Sequence, residues 1–395
     1  MMTDNFTKNI DKYLEYDENL RLRIKIEKLE NLIEATGLIA STFKLDKLLD
    51  MVMEIGMEMM NAEGCSILLL DEEGEKLQFV AVSGKKKDDL KNMTIKPGEG
   101  IAGWVVKNGE SLLIKDVSSD DRFSNRVDRK LKQTTKSIIC VPLEIKGKII
   151  GAAEVINRKD GRPFDEESLS LFRSLAIQSA VAIERSRLYA DLNDLFFSTI
   201  KTLASAIDAK DHYTQGHSER VSEYSIEIGK TLNLDENELT KLELSAMLHD
   251  IGKIGIPEKI LTKKTFLDDK ERKEIQKHPG IGARMLVPIK QFGEIISCIR
   301  HHHERYGGGG YPDGIKGEAI PFFSRIIAVA DTFDAMTSNR PYRKAFSSKQ
   351  AVGEIKKFSG IQFDPKCVKS FLKASAKGKI KNNVHVPRRS APAAQ

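Results

Sequence analysis

The chain has 395 residues, 40% hydrophobic and 30% charged, which suits two or three domains with ordinary packed cores. No apolar run reaches the ~18–20 residues of a membrane-spanning helix, and the first twenty residues, charged with both signs, do not read as a secretory signal. The formal net charge of +6 is concentrated at one end: residues 372–395 hold six basic side chains and no acid, so this stretch reads as a solvated basic tail rather than a site for a nucleic-acid polymer.

The four cysteines (Cys65, Cys140, Cys298, Cys367) stand alone. That argues against a disulfide framework or a zinc ribbon and for a reducing, cytoplasmic setting. All eight histidines fall at or after His212. Chemistry that needs imidazole therefore belongs to the second half.

In chain order, residues 20–41 carry apolar side chains at helical spacing, and a second helical pattern covers 45–60. The period then changes. CSILLLD (65–71) and KLQFVAV (76–82) flank a Glu-Glu-Gly turn, and SIICVPLEI (137–145) and KIIGAAEVI (148–156) flank Lys146-Gly147; both pairs predict hairpins. A long helix begins near Asp165. Helices around hairpins predict an α+β N-terminal domain, an antiparallel sheet covered by helices. From Ala176 through Ala180, Ile183, Leu188, Leu192, Leu195, Thr199 and Leu203 to Ile207, apolar positions step mostly by three or four without Gly or Pro. This seam predicts a parallel coiled coil, strongest from Ile183 onward, that pairs two protomers. After Lys210 the pattern is all-α, with helices expected over 218–232, 236–251, 269–277, 279–303, 322–337, 347–358 and 365–374.

Four clusters in the second half combine histidine with charged residues: GHSERV (216–221), LHDIGKIGIP (248–257), KHPGIG (277–282) and RHHHERYGGGGYP (300–312). A fifth, AVADTFDAMTSNRPYR (328–343), adds acids and arginines. Imidazole and carboxylate are ligand types for iron, manganese and zinc. The adjacent side chains of His249 and Asp250 diverge by about 100° at a helix end, so the pair can serve two ions with the carboxylate between them. Lys253, about one turn later, can hold a positive charge where a phosphate would sit.

These five ordered motifs closely resemble the HD-GYP branch of the HD phosphohydrolase superfamily, over about 200–375. The resemblance implies an all-helical domain that binds transition metals and hydrolyses cyclic di-GMP to pGpG and on to GMP. Carried over residue by residue, it implies metal ligands His217, His249, Asp250, His278, His302, His303 and Asp331, with Asp250 bridging. Lys253 would touch the scissile phosphate, and Arg340 and Arg343 would meet the other phosphate or a guanine. Gly310, Tyr311 and Pro312 would shape the substrate rim. The expected cofactor is two transition-metal ions rather than three, with iron or manganese foremost, because Tyr213 stands where some relatives place a further carboxylate. Bound metals would activate a water for in-line attack, and no protein nucleophile is required.

Some residues read as supports. His301 and Asp334 are expected to have structural roles, while His212 and His385 read as surface residues. Gly307 replaces the usual aspartate of the family's DGxGYP segment, making four consecutive glycines. It is expected to loosen the substrate loop, so that Gly307→Asp would stiffen the loop and tighten substrate binding.

The first half resembles a GAF sensory domain through GEGIAGWVVKNGESLLIKDV (98–117) and SIICVPLEIKGKIIGAAEVINR (137–158). Asn157, Phe164, Asp165 and Glu166 echo the pattern by which some such domains bind cyclic nucleotides, with Arg158 in place of a lysine. The resemblance leaves open a small GAF ligand or a domain used for dimerisation. The expected layout is an N-terminal helical segment 1–27, a GAF domain 28–185, a helical linker 186–209, an HD-GYP domain 210–378 and a basic tail 379–395. A cytoplasmic homodimer joined through the GAF and linker helices, with no membrane partner, completes the expectation.

Overall fold

The computed structural model describes residues 23–380 except 24, 25, 27–29, 31, 32, 43, 84–89, 91, 92, 132, 212–215, 264 and 340–343. Nearly all of segment 1–27 and of the tail 379–395 lies outside the described residues, as do His212, Tyr213, Arg340, Arg343 and His385. The chain divides into two compact units, Met1–Asn193 and Asp194–Gln395. Among the described residues no helix is long and apolar enough to cross a membrane.

The first unit is a six-stranded antiparallel sheet in the order β3-β2-β1-β6-β5-β4. Its strands are β1 (Ala62–Leu70), β2 (Leu77–Val82), β3 (Thr94–Ile95), β4 (Leu112–Ile114), β5 (Ile138–Ile145) and β6 (Lys148–Arg158). Both predicted hairpins form. The β5–β6 turn needs two left-handed residues, and Lys146 (φ 49°) and Gly147 (φ 81°) supply them. In the β1–β2 turn, Asp71 Oδ1 accepts from the backbone N–H groups of Glu75 and Lys76 at 2.8 and 3.1 Å.

One sheet face packs on α1 (Leu45–Met59) and on the start of a 45-residue helix, here called α4 (Glu166–Lys210). The other face packs on α2 (Gly100–Asn108). A short helix, α3 (Arg126–Leu131), borders a cavity on this second face. Glu154 of β6 lines that cavity between its cross-strand neighbours Ser66 and Cys140. Burial raises its pKa, partly offset by the Ser66 hydroxyl, which donates to it at 3.0 Å.

The residues echoing a nucleotide-binding pattern have structural tasks. The Asn157 side chain accepts from Lys136 N–H at 2.7 Å and donates to Thr134 O and to Glu63 at 2.8 and 2.9 Å. Phe164 is fully buried, and Asp165 caps the start of α4 by accepting from Ser168 N–H at 2.8 Å.

The apolar seam of α4 differs from the expected one. Ala176, Ala180 and Ile183 are consumed by the first unit's core, and Ile207 by the second's. The exposed stripe runs instead through Ile177, Val181, Leu188, Leu192, Leu195 and Leu203, with Leu188, Leu192 and Leu195 each 60–65% exposed. Spacing alone could not say which of two neighbouring helical faces a core would claim.

The second unit is helical among its described residues. It comprises the end of α4 and helices α5 (His217–Thr231), α6 (Glu236–Leu248), α7 (Glu258–Leu261), α8 (Asp269–Ile275), α9 (His278–Leu286), α10 (Gly293–His301), α11 (Phe322–Thr337), α12 (Ser348–Lys357) and α13 (Pro365–Ala376). Reciprocal Asp–Glu capping boxes start α6 and α8. The single helix expected over 279–303 is two helices, α9 and α10. Pro288 lies at the break; it lacks an N–H for the helical ladder, and its ring would clash with the preceding turn. Val221, Tyr224, Ile326, Phe333 and Phe371 lead one core, and Leu244, Leu248, Ile295 and Ile299 a second. The chemistry-bearing histidines lie on α5, α6, α9 and α10, the helices these cores hold together.

Candidate metal centre

Four helix ends converge on a buried cluster. His217 opens α5, His249 and Asp250 follow α6, His278 opens α9, His302 and His303 follow α10, and Asp331 projects from mid-α11. His217, His249, Asp250, His278 and His302 are all buried. Their ligand atoms fall into two groups, Asp250 with His278, His302 and His303, and His217 with His249 and Asp331; within each group these atoms lie within 4.8 Å of one another. All seven residues predicted as ligands are therefore brought together.

Asp250 stands between the groups. Its Oδ1 is 3.2 Å from His278 Nε2, and its Oδ2 is 3.4 and 3.8 Å from the Nε2 atoms of His249 and His217. His217 Nε2 is also 3.4 Å from Asp331 Oδ1.

The tautomers are fixed from outside. The Nδ1 atoms of His249, His278 and His302 lie 2.6–2.7 Å from the carbonyl oxygens of Ala246, Ile275 and Ile299. A carbonyl only accepts, so each Nδ1 carries a proton, and in the neutral ring each Nε2 turns its lone pair inward. His217 Nδ1 donates to Asp334 Oδ2 at 2.8 Å, and Arg220 grips Asp334 through Nε and Nη2 at 2.6 and 3.0 Å. Two such inward lone pairs, on His278 and His302, are only 3.3 Å apart. Facing lone pairs repel unless a cation lies between or beside them, and imidazole and carboxylate donors suit a transition metal. The residues present fit the group.

The electrostatics divide the cluster. Burial and neighbouring imidazoles hold His302 neutral, and they press His303 down to about 3. Burial opposes charge on His217, but its hydrogen bonds to the Asp331 and Asp334 carboxylates outweigh it and push the pKa up to about 10. Burial likewise opposes ionisation of Asp250 and Asp331. The Lys253 charge for one, and the His217 hydrogen bond for the other, keep both well below the usual carboxylate range.

Lys253 sits on the 3-10 turn Ile251–Gly255 that follows the His-Asp pair. Its Nζ is 2.8 Å from Asp250 Oδ2 and 3.0 Å from Asp211 Oδ2. His217, Asp250, Lys253, His278, His303 and Asp331 line an open cleft, with Tyr311, Phe266 and Arg272 among its walls. The Tyr311 ring stacks beside His303 at 4.8 Å. Gly310 admits no side chain, because a Cβ there would meet Arg305 N and Glu304 Cα at 2.5 Å. Glu304 is buried and accepts from the N–H groups of Asp313 and Gly314 at 2.8 and 2.9 Å. His301 faces away to Asp313 and Ser297, as its expected structural role requires.

Gly307 corrects an expectation. Its loop is already pinned: Gly307 N–H donates to Ile361 O at 2.8 Å, and Tyr306 N–H to Gln362 O at 3.0 Å. A Cβ on Gly307 would meet Ile361 O at 2.8 Å, a backbone atom that cannot yield cheaply. Gly307→Asp should therefore strain the loop, costing about 1–3 kcal/mol as overpacking does. The expected result is a lower melting temperature with no gain in substrate affinity. A variant that melts no lower and binds more tightly would contradict this packing.

Sequence reasoning passed over Arg220, Lys210 and Asp211. Arg220 lay inside a quoted motif but without a role; Lys210 and Asp211 end α4 just before the first histidine motif.

Residues 44–183 match the GAF domain family and residues 201–367 the HD domain family. The chain thus carries a GAF domain followed by an HD domain, and the motifs of the latter resemble those of the HD-GYP branch. It is 40% identical over 206 residues to the cyclic di-GMP phosphodiesterase response regulator RpfG of Xanthomonas campestris, covering 50% of this chain and 54% of that protein. It is 39% identical over 189 residues to a cyclic di-GMP phosphodiesterase of Thermotoga maritima, covering 47% and 51%. A 3'3'-cGAMP-specific phosphodiesterase 3 of Vibrio cholerae is 34% identical over 198 residues, covering 50% and 43%. The chain spans about half the length of these curated relatives.

Proposed function

We propose that the chain is a metal-dependent phosphodiesterase that hydrolyses cyclic di-GMP to pGpG, with GMP as a further product, under control of its GAF domain. The observation that carries the reading is Asp250, whose two oxygens face two separate histidine groups. His217, His249 and Asp331 would hold one ion and His278, His302 and His303 the other, with Asp250 shared; iron or manganese suits these donors. Bound there, the metals supply Lewis acidity toward a phosphoryl oxygen and acidify a water. Lys253 places a fixed ammonium beside them to stabilise charge on the phosphoryl oxygens. The Asp334–Arg220 pair fixes the His217 ring. Gly310, Tyr311 and Pro312 shape the rim of the cleft, and Arg340 and Arg343 are assigned to the second phosphate or a guanine.

One relative named for 3'3'-cGAMP gives a second reading its footing. Turnover of cyclic di-GMP, 3'3'-cGAMP and cyclic di-AMP at equal Mn(II) loading separates the two. The highest kcat/KM is expected for cyclic di-GMP. A preference for 3'3'-cGAMP would favour the other substrate, and binding without turnover would make the chain a cyclic di-GMP sensor.

The cavity beside Glu154 is assigned to a small ligand of the GAF domain, and the buried, unpaired cysteines accord with a cytoplasmic setting. The exposed stripe of α4 is assigned to a homodimer. Its leucines recur at coiled-coil spacing, and Asp at Leu192 and Leu195 would set like charges in the seam. Wild type is expected to sediment as a dimer at micromolar concentration and the Leu192→Asp/Leu195→Asp variant as a monomer. A monomeric wild type would leave the helix a plain spacer.

A further inference from the structure

The end of α4 touches the catalytic turn. Lys210, the last residue of this 45-residue helix, extends its ammonium to three carbonyl oxygens of one short segment. It donates to Ile254 O at 2.7 Å, Ile256 O at 3.0 Å and Lys253 O at 3.4 Å. These carbonyls belong to the turn that bears Lys253 and to the residue that closes it. Within the turn itself, Lys253 N–H donates to Asp250 O at 2.9 Å and Ile256 N–H to Lys253 O at 3.0 Å. The next residue, Asp211, meets the Lys253 side chain, its Oδ2 lying 3.0 Å from Nζ. Two consecutive residues thus hold the same lysine from both ends, Lys210 by the backbone beneath it and Asp211 by its ammonium.

We propose that Lys210 and Asp211 are positioning residues that set Lys253 against the scissile phosphate, which makes the C-terminal end of α4 the element through which a shift of that helix alters turnover. The inference rests on the phosphodiesterase reading but not on the identity of the dinucleotide. Neither residue belongs to the ligand groups found among the described residues, so variants of either are expected to keep their metal content. Lysine's three rotatable donors suit three carbonyls arrayed on one turn, and arginine's five-donor fork can satisfy them too. A methionine of similar length keeps the packing and removes the donors. A turn released by ~1 Å is enough to cost about 10²-fold in rate when orientation is catalytic.

The test uses the full chain loaded with Mn(II), with kcat and KM for cyclic di-GMP, metal content and melting temperature read together. Lys210→Met is expected to lower kcat by about 10²-fold with KM, metal content and fold retained, because Lys253 acts on charge that develops in the transition state. Lys210→Arg should recover most of the rate, and Asp211→Asn should lower kcat with metal content held. In a Lys253→Ala background, Lys210→Met should change kcat by no more than about twofold, since a residue acting through Lys253 has nothing left to position. A Lys210→Met enzyme at wild-type kcat, a loss additive with Lys253→Ala, or a depleted metal content would each overturn the assignment. If wild type leaves cyclic di-GMP intact but cleaves bis(p-nitrophenyl) phosphate, the substrate reading fails while the same comparison on that ester still decides the role of Lys210. A wild type that cleaves neither overturns both.

Discussion

Asp250→Ala is expected to lose both metals and with them activity, by at least ~10³-fold, the upper end of what one electrostatic group supplies. The reason lies in the position of the carboxylate. Its Oδ1 is 3.2 Å from His278 Nε2 in one group and its Oδ2 is 3.4 Å from His249 Nε2 in the other. Asp250 is the carboxylate of the first ligand group, and its Oδ2 also faces the His249 and His217 imidazoles of the second. Removing it also leaves His278, His302 and His303 without the one carboxylate of their ligand group, so that group has no anion to offset a divalent ion. Elemental analysis of the purified variant should give fewer than about one metal per chain, since affinity at such sites depends on deprotonated anionic ligands. Two retained metals with normal turnover would remove Asp250 from the centre of the account.

Lys253→Ala should behave otherwise. The ammonium is no ligand, yet it lies 2.8 Å from Asp250 and faces the cleft. Its loss should lower kcat by about 10²–10³-fold, as the loss of a preorganised electrostatic donor does, while metal content stays at the wild-type value. KM should move less than kcat, because the phosphoryl oxygens gain negative charge on the way to the transition state. The charge on Asp250 will be less well compensated in the metal-free protein, so metal should bind no more weakly than before. A variant depleted of metal would show that Lys253 builds the site rather than acts on substrate.

Much of the fold could be read from periodicity. The hairpins at 65–82 and 137–156 announced themselves by strand patterning and by the turn residues between their strands. The break at Pro288 was equally visible as a residue, but helical spacing on both sides masked it. The seam of α4 kept Leu188, Leu192, Leu195 and Leu203 on the exposed stripe, but Ala176, Ala180 and Ile183 at its start and Ile207 at its end were claimed by packed cores, which helical spacing could not show. At the candidate centre, the seven proposed ligands were legible because they stand in short motifs of unusual composition. Their supports were less so. Asp334 was recognisable from its spacing after Asp331, whereas Arg220 carried no signal that it would grip Asp334 across 114 positions. Lys210 and Asp211 looked like an ordinary charged helix end. Gly307 misled because the family pattern was applied without the carbonyl of Ile361 that occupies the space a side chain needs.

The central claim is that one buried His–Asp cluster holds two metals and that these are needed to open a cyclic dinucleotide. The most direct measurement takes protein purified anaerobically, determines its iron, manganese and zinc, and follows cyclic di-GMP turnover before chelation, after it and after restoring Mn(II). The account predicts about two metals per chain, matching the two ligand groups, with pGpG formed by the native and restored protein and none by the chelated one. Steady pGpG formation by fully metal-free protein, or no turnover by protein that holds both metals, would contradict it.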